Sequence, residues 1–163
     1  MKSKKICFSW TEYEDKSELE PADRDLLSSA EKASENAYAP YSGFFVGAAL
    51  RLENGAVITG SNVENAAFPS GICAERNVLS TASSAYAGIG PVSLAIAARN
   101  VKGPVSEPVT PCGNCRQVIA EEEHRYGKNI RIILGGNPVI RIVESAGDLL
   151  PLQFSMDHLR IVP

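Results

Sequence analysis

The chain has 163 residues and a mass of 17.4 kDa, a length that suits one domain. Hydrophobic residues make up 44% and charged residues 21%, which excludes disorder for the bulk of the chain. The net charge of -3 argues against a nucleic-acid partner, which needs clustered positive charge, and favours a small uncharged substrate. No apolar run approaches the roughly 20 residues of a membrane helix, so no membrane partner is expected. The apolar stretch after Lys2, Lys4 and Lys5 is too short for the core of a signal peptide, and a cytoplasmic location is expected. In that compartment Cys7, Cys73, Cys112 and Cys115 read as thiols or metal ligands rather than disulfides.

Residues 1–20 form an arm in which Ile6, Phe8 and Trp10 alternate with Lys5, Cys7 and Ser9, the pattern of a short extra strand with one buried face. A loosely docked arm is the plainer alternative. Residues 21–163 read as a single catalytic domain. A helix is expected over 21–39, with Asp23 capping its start, Leu26, Ala30, Ala33 and Ala37 on one face, and Pro40 ending it. Residues 44–53 and 56–61 read as strands joined by an Asn54-Gly55 hairpin turn, and 62–72 as a loop. A helix follows over 73–87, stopped by Gly88. Residues 92–98 have the apolar run of a central strand, and 101–111 are a proline-rich loop. A second cysteine-headed helix spans 113–126 with Gly127 as its stop. Strands over 130–134 and 139–143 flank a turn at 135–138, and a short helix near 147–150 precedes the tail. This order implies an α/β fold with parallel crossovers and a mixed sheet between helices on both faces.

Cys112-Gly113-Asn114-Cys115 alone fits a redox pair, half of a structural zinc site or half of a catalytic one. A proline-rich loop before it disfavours the redox reading. Cys73 is the one other strong ligand, because Cys7 lies in the arm and His124 and His158 have no ligand-like neighbours. Three protein ligands without a fourth are the pattern of a catalytic zinc that keeps a water. Both ligand groups head predicted helices, where the free N–H groups and the helix dipole favour thiolates. Three thiolates on a dication leave a net negative charge, which Arg76 on the first turn after Cys73 would offset. Glu75, two residues from Cys73, is placed to reach the metal's water and move its proton. Without those neighbours it would read as a first-turn glutamate complementing the helix dipole.

Cys73-Ala74-Glu75 followed by Pro111-Cys112-x-x-Cys115 resembles the three-cysteine form of the zinc deaminase signature. Tyr38-Ala39-Pro40-Tyr41-Ser42-Gly43-Phe44, Asn62-Val63-Glu64-Asn65-Ala66-Ala67, Cys73-Ala74-Glu75-Arg76 and Pro111-Cys112-Gly113-Asn114-Cys115-Arg116-Gln117 extend the likeness. Together with Leu149-Leu150-Pro151 and Phe154, these segments resemble the small homotetrameric cytidine deaminases over roughly residues 22–154. The resemblance implies a three-layer α/β/α fold with a mixed five-stranded sheet and one zinc ion per subunit on Cys73, Cys112 and Cys115. It implies hydrolysis of cytidine and deoxycytidine to uridine and deoxyuridine in pyrimidine salvage. In that chemistry an activated water attacks C4, and Glu75 carries its proton to N3 and then helps expel ammonia. The same resemblance makes Asn62 and Glu64 the ribose contacts, Phe44 an apolar wall and the Ala74 backbone a contact to the base. Phe154 is then an aromatic lent by a neighbouring subunit of a homotetramer with shared active sites.

Two features depart from the family pattern: Phe68 stands where many relatives carry tyrosine, and the arm is longer than in compact relatives. The arm is expected on a sheet edge or a subunit interface. Three rival readings are an antibiotic deaminase of the blasticidin type, a guanine or polynucleotide deaminase, and a non-catalytic zinc fold. The Asn62-x-Glu64 pair disfavours the first. The three-cysteine site, compact length and lack of a basic track disfavour the second, and Glu75 disfavours the third.

Overall fold

The computed structural model describes residues 1–159. Its strands are β1 (Thr11–Tyr13), β2 (Phe45–Leu52), β3 (Val57–Ser61), β4 (Pro91–Asn100), β5 (Gly103–Pro104), β6 (Arg131–Gly135) and β7 (Ile140–Val143). They form one mixed sheet in the order β1-β7-β6-β4-β2-β3, with β5 appended to β4. Only β4 and β6 run parallel, Ser93 aligning with Arg131 and Ala97 with Gly135. Every other pair is antiparallel. The three-layer mixed-sheet expectation holds, but the sheet has seven strands, not five. The two additions, β1 and β5, are three and two residues long and carry too little periodicity to read from sequence.

Helix α1 (Pro21–Ser34) covers one face of the sheet; α2 (Ala74–Ala85), α3 (Gly113–Tyr126) and the short α4 (Ala146–Leu149) cover the other. On the α1 side, Leu26, Leu27 and Ala30 pack on Ala49, Ala95, Ile133 and Ile142. Small residues let the helix lie close: a Cβ on Gly47 would sit 2.0 Å from the Ala30 carbonyl oxygen. On the other side, Val78, Leu79 and Ile119 pack on Leu50, Leu94, Ile96 and Ile132. Both clusters follow from strand alternation, since neighbours along β4 such as Ala95 and Ile96 point to opposite faces.

Several expected boundaries move, each for a local reason. Helix α1 ends at Ser34, well before Pro40. The backbone of Tyr38 is taken by another segment: its N–H donates to Asn62, and its carbonyl accepts from Glu64 N–H. Asp23 does not cap α1. Glu20 holds the cap position, Pro21 opens the helix, and Asp23 is buried in the first turn. There its two carboxylate oxygens accept from Arg51 Nη2 at 3.1 Å and Arg131 Nε at 2.9 Å. The arm's strand lies at Thr11–Tyr13 against β7, not over residues 6–10. Ile6, Phe8 and Trp10 are 58%, 50% and 53% exposed, so the buried face expected of them is absent. By contrast, α3 has the expected bounds, and Gly127 ends it in the left-handed conformation (φ 64°).

Candidate active site and metal centre

Two helix starts converge at one end of the sheet. Cys73 is the N-cap residue of α2, and Cys112 is the N-cap residue of α3. Neither sulfur makes a capping bond to its own helix. Cys115 stands three residues into α3, the spacing that returns a side chain to the face of the cap residue. The Cys112 and Cys115 sulfurs are 3.5 Å apart, and all three Sγ atoms lie within 4.8 Å of one another. Tetrahedral zinc with Zn–S bonds of about 2.3 Å needs sulfurs about 3.8 Å apart. The donor set and its spacing therefore fit one zinc ion. Among the described residues this is the one cluster of three or more such side chains suited to a metal. Cys7 is exposed in the arm and takes no part.

The sulfurs are electrostatically unequal. The Cys115 thiol, as a hydrogen-bond donor, holds the Cys73 thiol down at about 6. The same contact, together with burial, pushes the Cys115 thiol far up.

A cavity of about 430 Å³ opens beside the sulfurs. Cys73, Ala74, Glu75 and Cys112 line its floor, and Phe44, Asn62 and Glu64 line its flanks. Glu75 is only 5% exposed, and burial raises its carboxyl pKa above the ordinary value. Its own backbone N–H and the Cys115 thiol partly oppose that rise. Asn62 joins β3 to the start of β2. Its Oδ1 accepts from Val46 N–H at 2.8 Å, and its Nδ2 donates to the Phe44 carbonyl at 3.0 Å. One amide proton and one lone pair remain free for a ligand. Glu64 uses Oε2 to accept from Tyr41 N–H at 2.9 Å and Ser42 N–H at 3.3 Å, leaving Oε1 available. The Ser42 hydroxyl first, and then the Tyr41 and Ser42 N–H groups, hold its carboxyl below the ordinary range.

Two expected site residues do not line this cavity. Arg76 lines a smaller cleft of about 190 Å³ between α2 and α3, with Ser83 and Glu122, and hydrogen-bonds no sulfur among the described residues. Its charge still lowers the Cys73 thiol, as the last of several causes. Phe154 is 57% exposed, stacks on His158 at 5.4 Å and does not line this cavity.

Sequence reading gave no site role to three groups. Val109 and Thr110 line the cavity from the loop before Cys112, and their place next to Pro111-Cys112 was the available signal. Phe68 also lines the cavity, its ring edge-on to Tyr41 at 5.8 Å. Arg116 clamps the loop that carries Cys112: Nε donates to Pro111 O at 2.8 Å, Nη1 to Leu149 O at 2.8 Å and Nη2 to Thr110 Oγ1 at 3.0 Å.

Residues 21–126 match the family described as the cytidine and deoxycytidylate deaminase zinc-binding region. A cytidine deaminase of Halalkalibacterium halodurans is 47% identical over 96 residues, which span 59% of this chain and 68% of the relative. One from Mycobacterium tuberculosis is 39% identical over 134 residues, spanning 82% of this chain and 90% of the relative. Among solved structures, cytidine deaminase from Burkholderia pseudomallei superposes with a TM-score of 0.66 at 39% identity, covering 80% of this chain and 97% of that one. The enzyme from Mycobacterium tuberculosis gives 0.62 at 34% identity, covering 80% and 94%.

Proposed function

The chain belongs to the cytidine and deoxycytidylate deaminase family, and from that premise we propose that it hydrolyses cytidine and deoxycytidine to uridine and deoxyuridine, releasing ammonia. The observation that carries this reading is the buried Glu75 in a nucleoside-sized cavity whose floor holds two of three clustered thiols. Cys73, Cys112 and Cys115 would hold a zinc ion, one per subunit, which when bound supplies the Lewis acidity that makes water nucleophilic near neutral pH.

Glu75 then does the proton work. Its carboxylate takes a proton from the attacking water and gives it to N3 of the ring, which makes C4 electrophilic. It next takes the proton of the hydroxyl newly added at C4 and delivers it to the exocyclic amine; the C4–N bond breaks, ammonia leaves and C4–O becomes the carbonyl of the product. Burial raises the carboxyl pKa, which makes the carboxylate a stronger base toward the attacking water, and keeps the transferred proton from passing to bulk solvent. Phe44 stands beside the base as an apolar wall, and the Ala74 backbone offers it a polar contact at the head of α2. The free N–H of Asn62 and the free oxygen of Glu64 suit a sugar hydroxyl, which both accepts and donates. Arg76 offsets thiolate charge through space rather than by a hydrogen bond. Phe154, exposed and outside its own chain's cavity, is free to enter a neighbour's in a homotetramer with shared sites. Reduced thiols suit the cytoplasm, and the proposed reaction suits pyrimidine salvage.

Ammonia release from purified, zinc-loaded protein given cytidine, deoxycytidine and blasticidin S in parallel tests the reading. Turnover of the two cytidines alone supports it, and turnover of blasticidin S alone overturns it. Glu75→Gln should retain zinc and lose about 10⁴-fold in kcat, because one carboxyl serves more than one proton transfer. Activity surviving that change would remove Glu75 from its role.

A further inference from the structure

Residues 1–10 form no strand and make no backbone–backbone hydrogen bond among the described residues. The arm nevertheless leads into β1, an edge strand whose one ladder is with β7. Such an edge invites another strand. Ile6, Phe8 and Trp10 are exposed, although burying them would be favourable. The Phe8 and Trp10 rings lie 6.1 Å apart, and Trp10 also touches the Glu12 carboxylate. Phe8, Trp10 and Glu12 therefore share one face. Tyr13 packs into the α1-side core, so the odd-numbered positions take the opposite face.

Read along that face, the even positions are Lys2, Lys4, Ile6, Phe8, Trp10, Glu12 and Glu14: basic, then apolar, then acidic. The order is complementary to its own reverse. Laid antiparallel on a second copy about Phe8, Lys2 faces Glu14, Lys4 faces Glu12, Ile6 faces Trp10 and Phe8 faces Phe8. Moving the register by two residues opposes Ile6 to Glu12 or Lys4 to Trp10. A parallel arrangement opposes lysine to lysine and glutamate to glutamate, which is unfavourable across a strand pair. Glu12 accepts from Arg141 Nε through Oε2 at 2.6 Å, and a lysine on the outer side of β1 would be a second cation beside the same carboxylate.

We propose that the arm is a self-pairing strand: the arms of two copies join antiparallel about Phe8 and link the β1 edges of their sheets. The partner is a second copy of this chain, and the active-site cavity takes no part. An isolated two-stranded ribbon is marginal in water, but here each strand is anchored at one end in a seven-stranded sheet.

Single-cysteine crosslinking of the full, zinc-loaded chain tests this, with Cys7→Ser as the background. Opposed residues have Cα atoms about 5.5 Å apart, within disulfide reach, so Phe8→Cys should give a disulfide-linked dimer under mild oxidation. Ser3→Cys should not, because the paired copies of residue 3 would lie about 33 Å apart along the ribbon. We expect at least a tenfold difference in yield, and equal yields overturn the pairing. Because Phe8→Cys removes part of the apolar centre, charge exchange in the intact arm gives a second measure. K2E/K4E and E12K/E14K proteins should each lose arm-dependent association in sedimentation and regain it when mixed; no gain on mixing overturns the proposal. Binding to vesicles of acidic phospholipid, lost in K2E/K4E and accompanied by no Phe8→Cys crosslink, would assign the arm to a membrane surface and also overturn it.

Discussion

Asn62→Ala separates the two functions assigned to one side chain. In the folded chain the Asn62 amide satisfies Val46 N–H at 2.8 Å and the Phe44 carbonyl at 3.0 Å. Alanine leaves the Val46 donor without a side-chain partner, which costs about 1–3 kcal/mol for a part-buried group. The Phe44 carbonyl adds less, because Phe44 is half-exposed and water can replace the amide. The Asn62 backbone bond to Val46 O at 3.1 Å survives, so β3 stays attached. The net loss is about 2 kcal/mol, which for a chain of this size lowers Tm by roughly 4–8 °C. Catalysis should suffer more than stability suggests. The variant loses a donor to the sugar and also loosens Phe44, and kcat/KM for cytidine should fall about 10- to 100-fold. Thermal unfolding of zinc-loaded protein by circular dichroism, beside steady-state kinetics at 25 °C, reads both effects. A Tm within about 1 °C of the parent would refute the assignment of those two bonds as structural, whatever the kinetics show.

Three further outcomes follow from other parts of the fold. Asp23→Asn keeps one acceptor but turns an N–H₂ toward the Arg51–Asp23–Arg131 network; because the arginine side chains are 23% and 31% exposed and regain water, the cost should be about 2 kcal/mol, read by urea unfolding. The network sits at the far end of β2 from Phe44, so KM should not change. Gly47→Ala sets a Cβ 2.0 Å from Ala30 O and 2.4 Å from Ser34 N, both backbone atoms that cannot swing aside; about 3 kcal/mol or more of stability should be lost, and a calorimetric Tm near the parent's would contradict the close packing of α1. Glu64 has a folded pKa below its ordinary value of 4.5, so its contribution to holding the Tyr41–Ser42 turn is complete above that pH and lost as pH falls through the depressed value. Amide exchange at Tyr41 and Ser42 should stay protected down to about pH 4.5, and protection fading at pH 6 would show that another group holds the turn.

What sequence could reveal depended on how far apart the interacting partners lie. The bounds of α3 were readable because its determinants are local: a cysteine pair on one face of the first turn and a glycine able to take φ 64° just past the last. The Asn54-Gly55 hairpin was readable for the same reason, with Gly55 at φ 83° and Asn54 Oδ1 accepting from Ala56 N–H. The end of α1 was not, because residues after Ser34 have a helical pattern but surrender Tyr38 to residues 62–64, more than twenty positions away. The same distance hid the buried Asp23, whose partners come from β2 and β6.

The site shows this division within a few residues. Cys112 and Cys115 announce themselves by spacing, and Glu75 by its place two residues after Cys73. Nothing near Arg116 in sequence shows that it ties Thr110 and Pro111 to Leu149, 33 residues on. Yet that clamp fixes the loop delivering Cys112 and the Thr110 wall, so the chemistry carried by a short motif depends on geometry supplied from a distance. The arm is the opposite case. Its alternation was legible, but among the described residues no partner answers it, which is the pattern expected when the complementary strand belongs to another copy.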